Sequence, residues 1–251
     1  MKKKIWITGA SSGIGKSLAI IFANNGWEVA ISARNTEKLN EICKHNSNIH
    51  AFPLDVLKED ECEKTFKAIL EKIEYIDKCI FCVGIRDLNS EKQLDLKKIN
   101  KIFNTNFFGN LNTLNCVYNY FKNKKKGHIS IIASLAGYRG LPDSGAYSAS
   151  KAALITFMES LYFDLSKYNI QLSLINPGFI NTDMIKNNDY KMPFIKSSDY
   201  AAKKIYSGIL KNEKFEIHFP KQMSLIMKFL SILPFKLYTK LIKFGSKIIK
   251  R

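Results

Sequence analysis

Seven short β-branched or apolar runs, separated by stretches with apolar residues at helical spacing, leave this chain few ways to fold. The runs are KIWIT (4–8), EVAISA (28–33), IHAFPL (49–54), KCIFCV (78–83), HISIIAS (128–134), IQLSLI (170–175) and KFEIHF (214–219). Helical patterns fill the intervals at 14–25, 36–45, 58–73, 93–123, 146–168 and 198–211. Strands that alternate with helices are joined by right-handed crossovers, which make the strands parallel and cover both faces of the sheet. The expected architecture is α/β, a doubly wound sheet of about seven parallel strands with helices on both faces. No repeat or low-complexity linker divides the 251 residues. One domain is expected over 1–220, followed by a basic tail over 221–251.

The opening MKKKIWITGA imitates a signal peptide, but its apolar run stops at Thr8-Gly9, too short for the hydrophobic core of one. It reads as a first strand, and the protein is expected in the cytoplasm. Five scattered cysteines (Cys43, Cys62, Cys79, Cys82, Cys116) do not describe a disulfide framework. Cys79-x-x-Cys82 lies inside an apolar strand, with no second cysteine pair or histidine cluster to complete a zinc site, so buried thiols are expected and no metal. The net charge of +17 rests on lysine: Arg34, Arg86, Arg139 and Arg251 are the only arginines among 39 basic residues. Arginine forks and interleaved aromatics on a basic face are missing, so nucleic acid is not the expected partner.

The first strand runs into TGASSGIG (8–15), and a helix follows. Gly9, Gly13 and Gly15 form a turn that lets backbone approach a pyrophosphate closely. Ser11, Ser12 and Ile14 lie between them, at a helix N-terminus whose N–H groups favour an anion. This strand–turn–helix setting points to a dinucleotide and a Rossmann-type sheet. Ala33 stands at the end of the second strand, where an acid would select NAD, and Arg34 follows it. A guanidinium can grip a 2′-phosphate with paired donors, assisted by Asn35 or Ser11, so NADP(H) is the expected cofactor. Asp55, before Val56, is placed either to accept from the adenine amino group or to begin the next helix as its cap.

TGASSGIG, Asp55-Val56, Asn106 in NTNFFGN, Ser134 in IIASLAG, Tyr147-SAS-Lys151 and NPGFINT (176–182) occur in this order. Together they resemble the short-chain dehydrogenase/reductase family over roughly residues 4–218. Four Tyr-x-x-x-Lys pairs exist (Tyr118/Lys122, Tyr120/Lys124, Tyr147/Lys151, Tyr200/Lys204), and only Tyr147 has a serine upstream at the family's separation. The resemblance implies that Tyr147 gives the proton, with Lys151 lowering its pKa and holding the nicotinamide ribose. It implies that Ser134 steadies the substrate carbonyl and that Asn106 relays protons through water. Gly84 would pass the adenosine ribose, while Pro177, Gly178, Ile180 and Thr182 would embrace the nicotinamide. Where the family has Asn-Asn-Ala-Gly after the fourth strand, this chain has Phe81-Cys82-Val83-Gly84. The missing asparagine predicts a less rigid segment.

Residues 221–251 hold eight basic residues and no acid. After Pro234 the lysines at 236, 240, 243, 247 and 250 recur every three or four positions beside Leu237, Tyr238, Leu241, Ile242, Phe244, Ile248 and Ile249. That pattern is an amphipathic helix, suited either to an anionic membrane surface or to packing over the substrate cleft or a neighbouring subunit. The family's usual dimers and tetramers place the helices at 93–123 and 146–168 in a homo-oligomer. The functional expectation is an NADP(H)-dependent oxidoreductase interconverting a carbonyl and an alcohol. Tyr138, Leu141, Met184, Tyr190, Met192 and Phe194 lean toward an apolar or lipid-like substrate. The alternatives are a non-catalytic NADP-binding sensor and a membrane-surface adaptor.

Overall fold

The computed structural model describes residues 2–87, 94–185, 192–211 and 215–249. Parts of the sequence reading fall outside these residues: Tyr190, Lys250, Arg251 and the start of the seventh strand at Lys214. The order of elements is β1 (Lys4–Thr8), α1 (Gly13–Asn24), β2 (Glu28–Ser32), α2 (Thr36–Lys44), β3 (Ile49–Ala51), α3 (Glu59–Ile73) and β4 (Lys78–Phe81). Then come α4 (Leu96–Phe103), a π-helical turn (Asn104–Phe108), α5 (Gly109–Lys124), β5 (Gly127–Ile132) and α6 (Gly145–Leu165). The chain continues through β6 (Ile170–Pro177), β7 (Ile180–Asn181), β8 (Lys196–Ser197), α7 (Ser198–Lys211), β9 (Glu216–Phe219), α8 (Lys221–Ile232) and α9 (Phe235–Ile249).

Seven strands form one parallel sheet in the order β3-β2-β1-β4-β5-β6-β9. Alternation along each strand sends side chains to two cores. Ile5, Ile7, Val29, Ile31 and Ile80 join Phe22 and Leu18 of α1 on one face. Trp6, Cys79, Phe81, Ile129 and Ile131 join Phe66 of α3 and Phe121 of α5 on the other. Trp6 shows how completely the strand is covered: it stacks on Phe66 at 5.7 Å, meets Phe81 edge-on at 5.8 Å and donates its indole N–H to Ser32 Oγ at 3.0 Å. Cys62 and Cys79 are buried, and burial pushes the Cys62 thiol up to about 12 and the Cys79 thiol well above its ordinary value.

The observed elements depart from the expected ones at β3, at the helix expected over 93–123 and in the added pair β7–β8. β3 is assigned only over Ile49–Ala51, at the sheet edge. Past it Phe52 N and Leu54 N still donate to Ile31 O and Ala33 O at 2.8 and 3.0 Å, and Pro53, which has no N–H, sits between them where one would point away from the sheet. The helix expected over 93–123 is two helices joined by the π-helical turn, which buries Thr105 and Asn106. The tail is two helices that meet at Pro234, where the sequence reading begins the amphipathic one. Their inner residues Met227, Leu230 and Tyr238 form a third apolar cluster with Leu135, next to the carboxyl end of β5.

Candidate active site

Strand order reverses at β1, with β2 and β3 on one side and β4, β5, β6 and β9 on the other. Connections leave in opposite directions there and open a crevice at the carboxyl ends of the strands. A cavity of about 620 Å³ occupies it.

The glycine-rich turn forms one wall. Gly9 has φ +66°, and a Cβ on it would stand 2.9 Å from the Cys82 carbonyl group. A Cβ on Gly15 would stand 2.3 Å from Gly9 O, so the turn and α1 can pack this closely only without side chains. Gly13 opens α1 at φ +53°, and Ser12 caps that helix by backbone conformation without a side-chain bond. Ser11, Ser12 and Ile14 line the cavity with the three glycines. The open α1 N–H groups beside a surface without Cβ atoms fit a pyrophosphate.

Ala33, Arg34 and Asn35 line the far end of the cavity, just past β2. Asn35 Oδ1 accepts from Lys38 N at 2.8 Å and caps α2, so only its amide nitrogen is left to assist Arg34. Asp55 and Val56 also reach the cavity. Asp55 is not the cap of α3, a position held by Lys58; its carboxylate accepts from Leu57 N at 3.1 Å.

Ser134, Tyr147 and Lys151 all line the cavity. Ser134 follows β5 and opens a short 3₁₀ turn, accepting from Ala136 N at 3.1 Å and donating to Pro177 O at 3.5 Å. Tyr147 and Lys151 lie one turn apart on α6. The Lys151 ammonium is buried, donates to Ile132 O at 2.9 Å and sits 5.9 Å from the centre of the Tyr147 ring. Burial pulls its pKa down to about 8. Arg86, which the sequence reading passed over, places its guanidinium carbon 5.5 Å from the same ring and lines the cavity. One signal was available for it: a rare arginine two residues beyond Gly84.

Asn106 is fully buried and stands behind the wall. Its Oδ1 accepts from Ile85 N at 2.7 Å, and its Nδ2 donates to Ile85 O at 2.9 Å and Ser150 Oγ at 3.0 Å. A Cβ on Gly84 would come within 3.3 Å of Lys151 Nζ and 3.6 Å of Asn106 Oδ1. Asn110, also missed from the sequence, donates to Val83 O at 2.9 Å and to Asn106 O at 2.7 Å. The segment after β4 is therefore braced from the π-helical turn and α5, a correction to the looseness expected from its missing asparagine.

Pro177, Gly178, Ile180 and Thr182 complete the wall after β6. Gly178 N donates to Phe219 O at 2.8 Å, and a Cβ there would stand 2.9 Å from Met223 Sδ. Met223 and Met227 of α8 line the cavity alongside Leu141 and Met184. Tyr138 points elsewhere, donating its hydroxyl to Glu216, which also takes bonds from Lys228 and from Asn176 at 2.7 Å. Burial raises the Glu216 pKa, but these three donors outweigh it and hold the carboxyl below its usual range.

The model of the short chain dehydrogenase family matches residues 3–193. An uncharacterized oxidoreductase of Myxococcus xanthus is 32% identical over 236 residues, which cover 92% of this chain and 93% of the relative. A 3-oxoacyl-(acyl-carrier-protein) reductase of Bos taurus is 29% identical over 188 residues, 74% of this chain and 79% of its own length. Among solved structures, ElxO with NADP bound is 26% identical with a TM-score of 0.76, over 87% of this chain and 98% of that one. A short chain dehydrogenase from Burkholderia cenocepacia in complex with NADP has a TM-score of 0.83 at 20% identity, over 96% of this chain and 97% of that one, a likeness of fold. With its parallel sheet, glycine turn and Ser134–Tyr147–Lys151 wall, the chain belongs to the short-chain dehydrogenase/reductase family.

Proposed function

We propose that the protein is an NADP(H)-dependent oxidoreductase that interconverts a carbonyl and a primary or secondary alcohol on an apolar substrate. The observation that carries this reading is the Tyr147 phenol, facing the same cavity as the glycine turn with Lys151 and Arg86 beside its ring. When bound, the dinucleotide supplies or removes the two reducing electrons. Gly9, Ser11, Ser12, Gly13, Ile14 and Gly15 would hold its pyrophosphate. Asp55, Val56 and Gly84 would border its adenosine half, and Pro177, Gly178, Ile180 and Thr182 its nicotinamide half. Arg34 and Ser11 would bind a 2′-phosphate, in a position where Ala33 offers no carboxylate to repel it.

In the reducing direction Ser134 Oγ donates to the substrate carbonyl oxygen and orients it. Tyr147 releases its proton to that oxygen, and the two neighbouring cations stabilise the negative charge left on the phenol. Asn106 keeps the Gly84–Ile85 backbone against Lys151 and so acts as a positioning residue; a water-borne proton path at this position is part of the same proposal. Leu141, Met184, Met223 and Met227 give the substrate end of the cavity its apolar character. The proposal extends to a homodimer or homotetramer formed through α4, α5 and α6.

Oxidation of NADPH and of NADH by the purified protein, against ketones and aldehydes of short and long chain, tests this. NADPH should be preferred, and Tyr147→Phe should lower turnover by about 10²–10⁴-fold while NADPH binds with unchanged affinity. A variant that keeps wild-type turnover would sink the mechanism. NADPH binding without turnover of any carbonyl would favour the sensor reading.

A further inference from the structure

Helix α8 is apolar on two opposite faces. Met223, Met227 and Leu230, at i, i+4 and i+7, turn inward, toward the cavity and the third apolar cluster. Leu225, Phe229 and Ile232 repeat that spacing on the opposite side and are 61%, 57% and 78% exposed. Helix α9 differs in that its exposed apolar stripe lies on a flank, about a quarter-turn from its inward residues, with lysines opposite those. Tyr238 and Ile242 face inward, whereas Leu237, Leu241 and Phe244 are exposed at i, i+4 and i+7. Lys236, Lys240 and Lys243, each one residue earlier, form a basic stripe along the edge of that apolar one. A helix packed on a water-soluble domain normally turns a polar face outward, and a large exposed apolar surface marks an interaction site.

We propose that α8 and α9 form a docking surface for an anionic lipid bilayer, with the outer apolar stripes in the acyl boundary and the lysines at the headgroup phosphates. Charge selects this occupant over a second copy of the chain. No acidic residue occurs in 221–251, so a two-fold contact through this surface would set one lysine stripe near its own copy. Anionic phosphates complement it. No helix among the described residues is long and apolar enough to cross a membrane, so the contact lies along the surface. The surface goes beyond the proposed reaction and stands independently of it. Because α8 presents Met223 and Met227 to the cavity on its other side, docking sets the substrate end of the cavity one helix away from the lipid.

The test is sedimentation of the full-length protein with vesicles of phosphatidylcholine alone and of phosphatidylcholine with phosphatidylglycerol. The wild type should pellet with the anionic vesicles. The triple variant Lys236→Gln, Lys240→Gln, Lys243→Gln should partition on the order of a hundredfold more weakly, at roughly fivefold per lysine near an anionic surface. Leu225→Gln, Phe229→Gln, Ile232→Gln should also stay in the supernatant, and both variants should bind NADPH as the wild type does, since none of these residues lines the cavity. Wild-type protein that ignores anionic vesicles, or outer-face variants that pellet like the wild type, would overturn the proposal. A smaller oligomer of the apolar variant without vesicles would instead assign the face to a second copy.

Discussion

Four tyrosines in this chain precede a lysine by four residues, and every pair touches. Lys122 lies 5.0 Å from the Tyr118 ring, Lys124 donates to Tyr120 Oη at 2.6 Å, and Lys204 lies 5.6 Å from the Tyr200 ring. Contact is simply what helical spacing produces, so it does not distinguish Tyr147. What does is burial of the cation, since Lys151 is enclosed and the partners of the other tyrosines are not. A lysine whose pKa falls from 10.5 to about 8 on folding holds one proton fewer than the unfolded chain between those values. Stability therefore rises with pH across that window and is at its lowest, for this group, below 8. The penalty near neutrality reaches about 3 kcal/mol, less whatever the bond to Ile132 O returns. Lys151→Met should abolish turnover yet melt higher than the wild type at pH 7. That advantage should shrink as the pH is raised from 8 toward 10.5, and thermal melts of the ligand-free proteins across that range check it; a constant difference would show that burial is not the cause. Residue types and order singled out Ser134, Tyr147 and Lys151, which all line the cavity. They did not find Arg86, whose partner ring is distant in sequence, because one arginine in a loop carries no periodicity.

At the scale of elements, the strands were legible because a buried parallel strand must be apolar on both faces, and KIWIT and KCIFCV leave no other use for themselves. The π-helical turn was not legible. Residues 104–108 keep the composition of the surrounding helix, and the extra backbone residue is visible only in how Asn106 and Asn110 converge on the segment after β4. The pairing of β7 with β8 was missed for a related reason, since two-residue strands carry no alternation. The break in the tail at Pro234 was written in the sequence, but its docking was not, because that depends on Arg139. The guanidinium of Arg139 donates to the carbonyls of Leu230, Ser231 and Leu233 at 2.9, 3.0 and 2.6 Å and lies 4.2 Å from the Tyr238 ring. It thus satisfies the end of α8 and seats α9 in one contact. Arg139→Ala should loosen both helices by about 1–3 kcal/mol. Trypsin should then cut at Lys236 and Lys240 sooner than in the wild type, and KM for an apolar carbonyl should rise while NADPH affinity stays the same. Equal cleavage rates would show that the tail is held by its apolar contacts alone.

For the whole molecule, the order of strands decides where chemistry can happen, since the connections leave in opposite directions where the order reverses, beside the paired strands β1 and β4. Phe163 and Tyr162 of α6 are exposed and meet each other edge-on at 5.9 Å, on a helix of the proposed subunit contact. Phe163→Glu should lower the mass found by analytical ultracentrifugation without affecting vesicle binding; an unchanged mass would move the contact elsewhere. The residues of the family match end at 193, yet Met223 and Met227 of the cavity wall come from α8, beyond that limit. The Ser134–Tyr147–Lys151 wall and part of the cavity lining thus come from separate stretches of one chain. A substitution at Met223 or Met227 would reshape the cavity there and leave Tyr147 and the glycine turn untouched, so the choice of substrate can vary apart from the proposed reaction.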